Sequence, residues 1–444
     1  MLTNNKDTQV LINKIISNRY EIDLIQITIF KENEKLCGKG TVYQNEEGQL
    51  MLKFFSNQEY SEQERLRMLF ENIDLNSEGS VYSDFYKMEG TDENRCEYCC
   101  DQIDLNGFKD NVMSFRMLGS FDSQKEEGSS TRVILAGKYH VPKTGIISKT
   151  IVDQYYGFTE NKDIWKIDIN DDLMVLITNY ESYLDVLILE KENLDFKDVD
   201  YIINSLDFVL GIESESVFIN ISGKGHKVMN RRNILRAQSM FDAPLTSDHN
   251  YGLEFTINHN RLFISYYNFI RKDTKMKLPI IHRRVVSGSR NYIYAAALII
   301  SVQIETICKL YLADDNEKDK EFIDTLGKCI ELIENSNIEN KERVINSLNG
   351  KVTDIKVNVK DILYKLATDN HINRSLIKPY SSLRNRTAHG DNYENDDNRK
   401  LSGNIFLCTN LYYQLMFRLI GYEGKFSWKE YGKNRLETYP IKSN

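Results

Sequence analysis

From residue 20 to about 270, short β-branched and aromatic runs alternate with polar turns, the pattern of strands that bury one face. Residues 40–55 (GTVYQNEEGQLMLKFF) predict a hairpin, because Asn45-Glu46-Glu47-Gly48 supplies turn chemistry between two extended runs. Further strands are expected at residues 112–118, 132–141, 173–178, 184–189, 216–221 and 261–267. One helix interrupts them at residues 199–210. It keeps Ile202, Ile203, Leu206, Val209 and Leu210 at helical spacing and stops at Gly211.

The period changes near residue 285. Residues 291–312 predict a long apolar helix, and residues 322–333 place Phe322, Leu326, Ile330 and Ile333 on one stripe. A shorter helix is expected at 361–367. Residues 401–419 carry Leu401, Ile405, Cys408, Tyr412, Leu415 and Leu419 at steps of four and three, before Gly421. Helices with one apolar face each assemble as a bundle. The chain therefore reads as α+β, with a β-rich N-terminal region (1–284) followed by an all-α C-terminal bundle (285–444).

Composition adds little, but charge adds a division. The 444 residues are 41% hydrophobic and 27% charged, ordinary for a soluble globular chain of two or three domains. The net charge of −8 argues against a strongly basic nucleic-acid binder. From Val285 onward, however, 23 Lys+Arg stand against 21 Asp+Glu, a net of +2, leaving 34 against 44, a net of −10, for residues 1–284.

Seven cysteines, an odd number, and an N-terminus without the continuous apolar core of a signal peptide suggest a reducing cytoplasm. The apolar stretch 291–304 is too short to span a bilayer and reads as a buried helix, so no membrane association is expected. Cys96, Cys99 and Cys100 include a Cys-x2-Cys, half of a tetrahedral zinc site, but the chain offers no second half. No metal or other cofactor is expected.

The chemistry concentrates in Arg384-Asn385-Arg386-Thr387-Ala388-His389-Gly390, where a permanent cation, an amide and a titratable imidazole share one short segment. A guanidinium neutralises a phosphate, an amide orients sugar or phosphate, and an imidazole moves a proton near neutral pH. None of the other six histidines (His140, His226, His249, His259, His282, His371) follows an Arg at this distance. Pro379 is placed to open the helix carrying the motif and Gly390 to close it. Residues five apart lie about 140° apart around a helix, so the motif must bend at its end or be completed by another chain. A histidine in the last turn also feels the negative end of the helix dipole, which favours imidazolium.

An Arg followed at once by a polar residue and then by His five positions after the Arg resembles the signature of the HEPN ribonucleases. The resemblance implies a helical bundle, two protomers that bring their motifs into one cleft, and metal-independent cleavage of RNA. In that scheme the ribose 2′-OH attacks the adjacent phosphate, leaving a 2′,3′-cyclic phosphate and a 5′-OH. His389 would serve as general acid or base, Arg384 would stabilise the phosphorane charge, and Asn385 would position phosphate or ribose. Arg386 is a candidate RNA-backbone contact, with a solvated surface arginine as its alternative. Glu305 and Lys309 are an ion pair lining the cleft or an ordinary surface i,i+4 pair. Asp391, Glu394, Asp396 and Asp397 lack regular ligand spacing and read as a solvated turn.

A β-rich region preceding a C-terminal HEPN bundle, with the 40–55 hairpin and the segment 151–158 (IVDQYYGF), is similar to the ApeA-like abortive-infection proteins. The likeness implies an anti-phage function in which the N-terminal region senses or regulates. It also implies a homodimer or larger homo-oligomer, an RNA substrate such as tRNA, and a phage-derived trigger. The rival expectation is a non-catalytic dimeric binding or sensor protein with a degenerate HEPN bundle.

Overall fold

The computed structural model describes residues 6–31, 34–70, 85–109, 112–123, 131–139, 141–142, 145–152, 157–190, 194–221, 224–230, 243–245, 252–275, 277–289, 292–313, 317–336, 339–353, 359–389, 398–431 and 433–441. The chain forms two compact units, Met1–Arg236 with Ser247–Asn260, and Ala237–Thr246 with Arg261–Asn444.

The first unit opens with α1 (Lys6–Ile16), β1 (Glu21–Lys31), β2 (Glu34–Gln44), β3 (Leu50–Ser56), α2 (Glu62–Phe70), β4 (Tyr86–Thr91), β5 (Glu97–Lys109) and β6 (Val112–Met117). The six strands pair antiparallel in the order β4-β1-β2-β3-β6-β5, and β5 pairs back onto β4, closing a barrel. Alternation along the strands turns Ile27, Ile29, Val42, Leu52, Phe54, Met88 and Phe115 into its core, where Ile12 and Ile15 of α1 join the same cluster. Gly40 answers a close approach inside this barrel, since a Cβ there would run into the Lys53 carbonyl. The expected 40–55 hairpin is β2–β3, and its turn is held by Asn45, whose side-chain oxygen accepts from the Glu47 and Gln49 amides at 3.1 and 2.9 Å.

From β5 the sheet continues through β7 (Phe121–Ser123), β8 (Thr131–Ala136), β9 (Gly145–Val152), β10 (Gly157–Asn170), β11 (Leu173–Asn179), β12 (Tyr183–Glu190), β13 (Glu215–Ile221) and β14 (Gly225–Val228), in the order β7-β14-β13-β8-β12-β11-β10-β9. Every residue of β8 is buried. Its Arg132 is satisfied by Asp185 of β12 (Nε to Oδ1, 2.7 Å) and by Gln9 of α1 (3.2 Å). Helix α3 (Phe196–Leu210) is the helix expected at 199–210. An Asp195/Asp198 capping box starts it and a left-handed Gly211 (φ 62) ends it.

The second unit is helical: most of α4 (Gly252–Lys272), then α5 (Leu278–Ser289), α6 (Ile293–Ile307), α7 (Glu317–Glu334), α8 (Lys341–Thr353), α9 (Val359–Thr368), α10 (Ile377–His389) and α11 (Asn398–Ile420). The chain is thus α+β, a β-rich N-terminal region followed by a helical one. A hairpin absent from the sequence expectation, β15 (Gly424–Glu430) with β16 (Lys433–Tyr439), packs on α11.

One expected strand is corrected. Residues 261–267 lie inside α4, where Leu262, Phe263, Tyr266, Tyr267 and Ile270 are buried at helical spacing. Their β-branched and aromatic content imitated a strand, and tertiary packing overrode that propensity.

The expected apolar helix is α6, and it continues as a π turn over Cys308–Leu312. By length and composition the run Ile293–Leu312 would suffice to cross a membrane. In the bundle it packs against α5, α10 and α11, burying Ala296, Ala297, Ile300, Ile304 and Ile307.

Candidate functional site

Helix α10 carries the motif. Asn373 starts the approach: its Oδ1 accepts from the Ser375 amide at 2.9 Å and begins a short 3₁₀ turn, Arg374–Leu376, that runs into the helix. Pro379 is the third residue of α10, two positions later than expected for an opening proline. It is harmless in a first turn, whose amides have no intrahelical partner. Leu376, Ile377, Tyr380 and Leu383 are buried, and α10 lies on α6 and α11. Arg384 follows on the border of that apolar stripe, half-buried, and Asn385 is exposed.

The decisive contact crosses from α10 to α6. Arg384 Nε donates to Glu305 Oε2 at 2.7 Å, and Lys309 Nζ donates to Oε1 of the same carboxylate at 2.5 Å. Partial burial works to raise the Glu305 carboxyl, but the hydrogen bonds and charges of Lys309 and Arg384 outweigh it and hold it below the usual glutamate value. Cys308 beside it is buried, and burial followed by the Glu305 charge pushes its thiol up to about 12. Burial, with Cys308 and Glu305 next, also raises Tyr380, so the phenol stays protonated. A guanidinium bound edge-on at Nε by a fixed carboxylate has its plane and direction set, which is what a phosphate-binding group requires.

The π turn after α6 is itself fastened. Lys275 donates to the Leu310 carbonyl and lies 5.1 Å from the Tyr311 ring centroid, while the Tyr311 hydroxyl donates to Asp273 Oδ2 at 2.6 Å. Burial first, then the Asp273 hydrogen bond, raises the Tyr311 phenol. Asp273, Lys275 and Tyr311 escaped the sequence reading. The visible signal was the dense charge run Arg271-Lys272-Asp273-Thr274-Lys275-Met276-Lys277.

Of the expected site residues, Arg384, Glu305 and Lys309 meet in one cluster. Helix α10 is α-helical through His389, so positions 384 and 389 lie about 140° apart around its axis. Positions 385 and 389 are four apart and share a face. The side chains of Arg386 and His389, together with Gly390, Asp391, Glu394, Asp396 and Asp397, lie outside the described residues.

In the other unit Cys96 and Cys100 are buried and Cys99 is half-buried. Burial pushes the Cys100 thiol up to about 12. Among the described residues no group of three or more His, Cys, Asp or Glu is placed to hold a metal ion.

Compared with known families, curated proteins and solved structures, the chain matches none.

Proposed function

We propose that this chain is a metal-independent endoribonuclease of the HEPN type, acting in the cytoplasm in anti-phage abortive infection as ApeA-like proteins do. The observation that carries the reading is the Arg384–Glu305 contact, which ties the motif arginine on α10 to α6 beside an exposed amide, Asn385. The ribose 2′-OH attacks the adjacent phosphate. Arg384 neutralises the charge that develops, Asn385 positions phosphate or ribose, His389 transfers the proton, and Arg386 meets the backbone. The nucleophile belongs to the substrate, so the scheme assigns no task to a metal. Because α10 stays helical through His389, which keeps positions 384 and 389 on different faces, a second copy of the chain is assigned to complete the cleft. The acidic N-terminal region takes the regulatory role, and a phage-derived trigger releases activity.

One observation favours a second reading. An arginine already engaged by a carboxylate also suits a helix clamp in a non-catalytic dimeric sensor. Incubating the protein with total RNA and tRNA in EDTA separates the two. Cleavage that survives chelation and vanishes in Arg384→Ala and His389→Ala supports the nuclease, and intact RNA even with a phage trigger present supports the sensor.

A further inference from the structure

The helical unit is more basic than a division of the chain at residue 285 suggests. Ala237–Thr246 and Arg261–Asn444 together hold 30 Lys+Arg against 23 Asp+Glu, a net of +7, leaving 27 against 42, a net of −15, for the other unit. Much of that excess sits in one corner. Residues 271–284 contain Arg271, Lys272, Lys275, Lys277, Arg283 and Arg284 against Asp273 alone. All six cations are exposed, while Leu278, Ile281, His282, Val285 and Val286 occupy the buried side of α5.

Asp273 is spent internally. It accepts from the Tyr311 hydroxyl at 2.6 Å and from the Lys275 amide at 2.9 Å. Among the described residues, Lys272, Lys277 and Arg284 form no ion pair. The corner is also continuous with the site. Lys275 bonds the carbonyl of Leu310, the residue after Lys309, and Lys309 shares the Glu305 carboxylate with Arg384.

We infer that the α4–α5 corner is a docking track for the phosphate backbone of single-stranded RNA, leading along the π turn to Arg384. The inference rests on the nuclease reading for its choice of polyanion. A cluster of exposed cations linked through Lys275 and the π turn to a guanidinium beside a hydrogen-bonding amide suits a phosphodiester chain, whose charges repeat and whose sugars offer hydroxyls. A lipid surface fits less well, because among the described residues of the corner its charge is paired with one exposed large apolar side chain, Ile280.

The test measures binding of the full chain to a fluorescent single-stranded RNA with 2′-O-methyl riboses, which has no free 2′-OH to attack, across a salt series. The triple variant Lys272→Gln, Lys277→Gln, Arg284→Gln is compared with a charge-matched control on α7 and α8: Lys328→Gln, Lys341→Gln, Arg343→Gln. Each lost phosphate contact lowers the slope of log affinity against log salt by about 0.7, so the corner variant should lose a slope of about 2 and bind about 50-fold more weakly near physiological salt. The control should change affinity by no more than a small factor.

Unchanged affinity in the corner variant, an equal loss in the control, or corner-dependent capture by phosphatidylserine vesicles without RNA binding overturns the track. Corner-dependent binding of the methylated strand by a protein that leaves unmethylated RNA intact even with a phage trigger present keeps the track and sinks the nuclease reading. Cleavage with corner-independent binding does the reverse.

Discussion

Replacing Glu305 by Gln tests whether the cluster beneath the motif is electrostatic. The side chains of Arg384, Glu305 and Lys309 are 34%, 21% and 42% exposed, so neither contact merits the figure for a desolvated charged hydrogen bond, about 1.5–3 kcal/mol. Discounted for solvent, the Arg384 contact is worth about 1 kcal/mol and the i,i+4 contact to Lys309 about 0.5 kcal/mol. Glutamine keeps the shape and one acceptor, so the expected loss at pH 7 is about 1 kcal/mol.

The folded state holds Glu305 below its unfolded value. Its contribution is therefore complete above the ordinary glutamate pKa of about 4.3, and fades as pH falls through the lower folded value. The difference between wild type and variant should be flat at neutral pH, shrink only on the acid side, and weaken in high salt.

The two tryptophans give separate local reporters, because Trp165 lies in the first unit and Trp428 in the second. In a Trp165→Phe background, urea unfolding is followed by the fluorescence of Trp428, a residue of the helical unit. Equal stability of the two proteins at pH 7, or a difference that persists undiminished in acid, would refute the argument.

Leu383→Ala removes a fully buried side chain where α10 lies on its neighbours, and the Trp428 transition should lose about 2–4 kcal/mol. Asp185→Ala leaves Arg132 buried and without its carboxylate, so the transition read by Trp165 in a Trp428→Phe background should lose about 3 kcal/mol. Gly288→Val places a Cβ within 2.6 Å of the Ile299 side chain where α5 meets α6, and should cost about 1–3 kcal/mol in the helical unit. Thiol labelling of the native protein followed by mass spectrometry should mark exposed Cys37 and Cys329 first. Cys100 and Cys308, raised by burial to about 12, should remain unlabelled even at pH 9.

Local signals carried the parts of the fold that local sequence determines. The Asn45 turn, the capped α3 and the apolar α6 and α11 follow from turn residues and helical spacing visible within a single window. Barrel closure was not legible, because the β4–β5 pairing that completes it depends on twist and register accumulated over six strands. Helix α4 was misread where aromatic and β-branched residues conceal its period.

At the site, Arg384 and the i,i+4 pair Glu305–Lys309 were separately visible. Their meeting was not, because 79 residues separate Arg384 from Glu305 and packing alone joins them. The basic corner was hidden by a charge count begun at residue 285, just past Arg283 and Arg284.

The most direct test of the proposed chemistry compares an RNA with its 2′-O-methyl counterpart, in EDTA and with a phage trigger present, and maps the product ends. The account predicts that RNA is cut to 2′,3′-cyclic phosphate and 5′-OH ends, that the methylated strand survives, and that Arg384→Ala and His389→Ala abolish the reaction. Cleavage of the methylated strand, 5′-phosphate ends, or full activity in His389→Ala would contradict it.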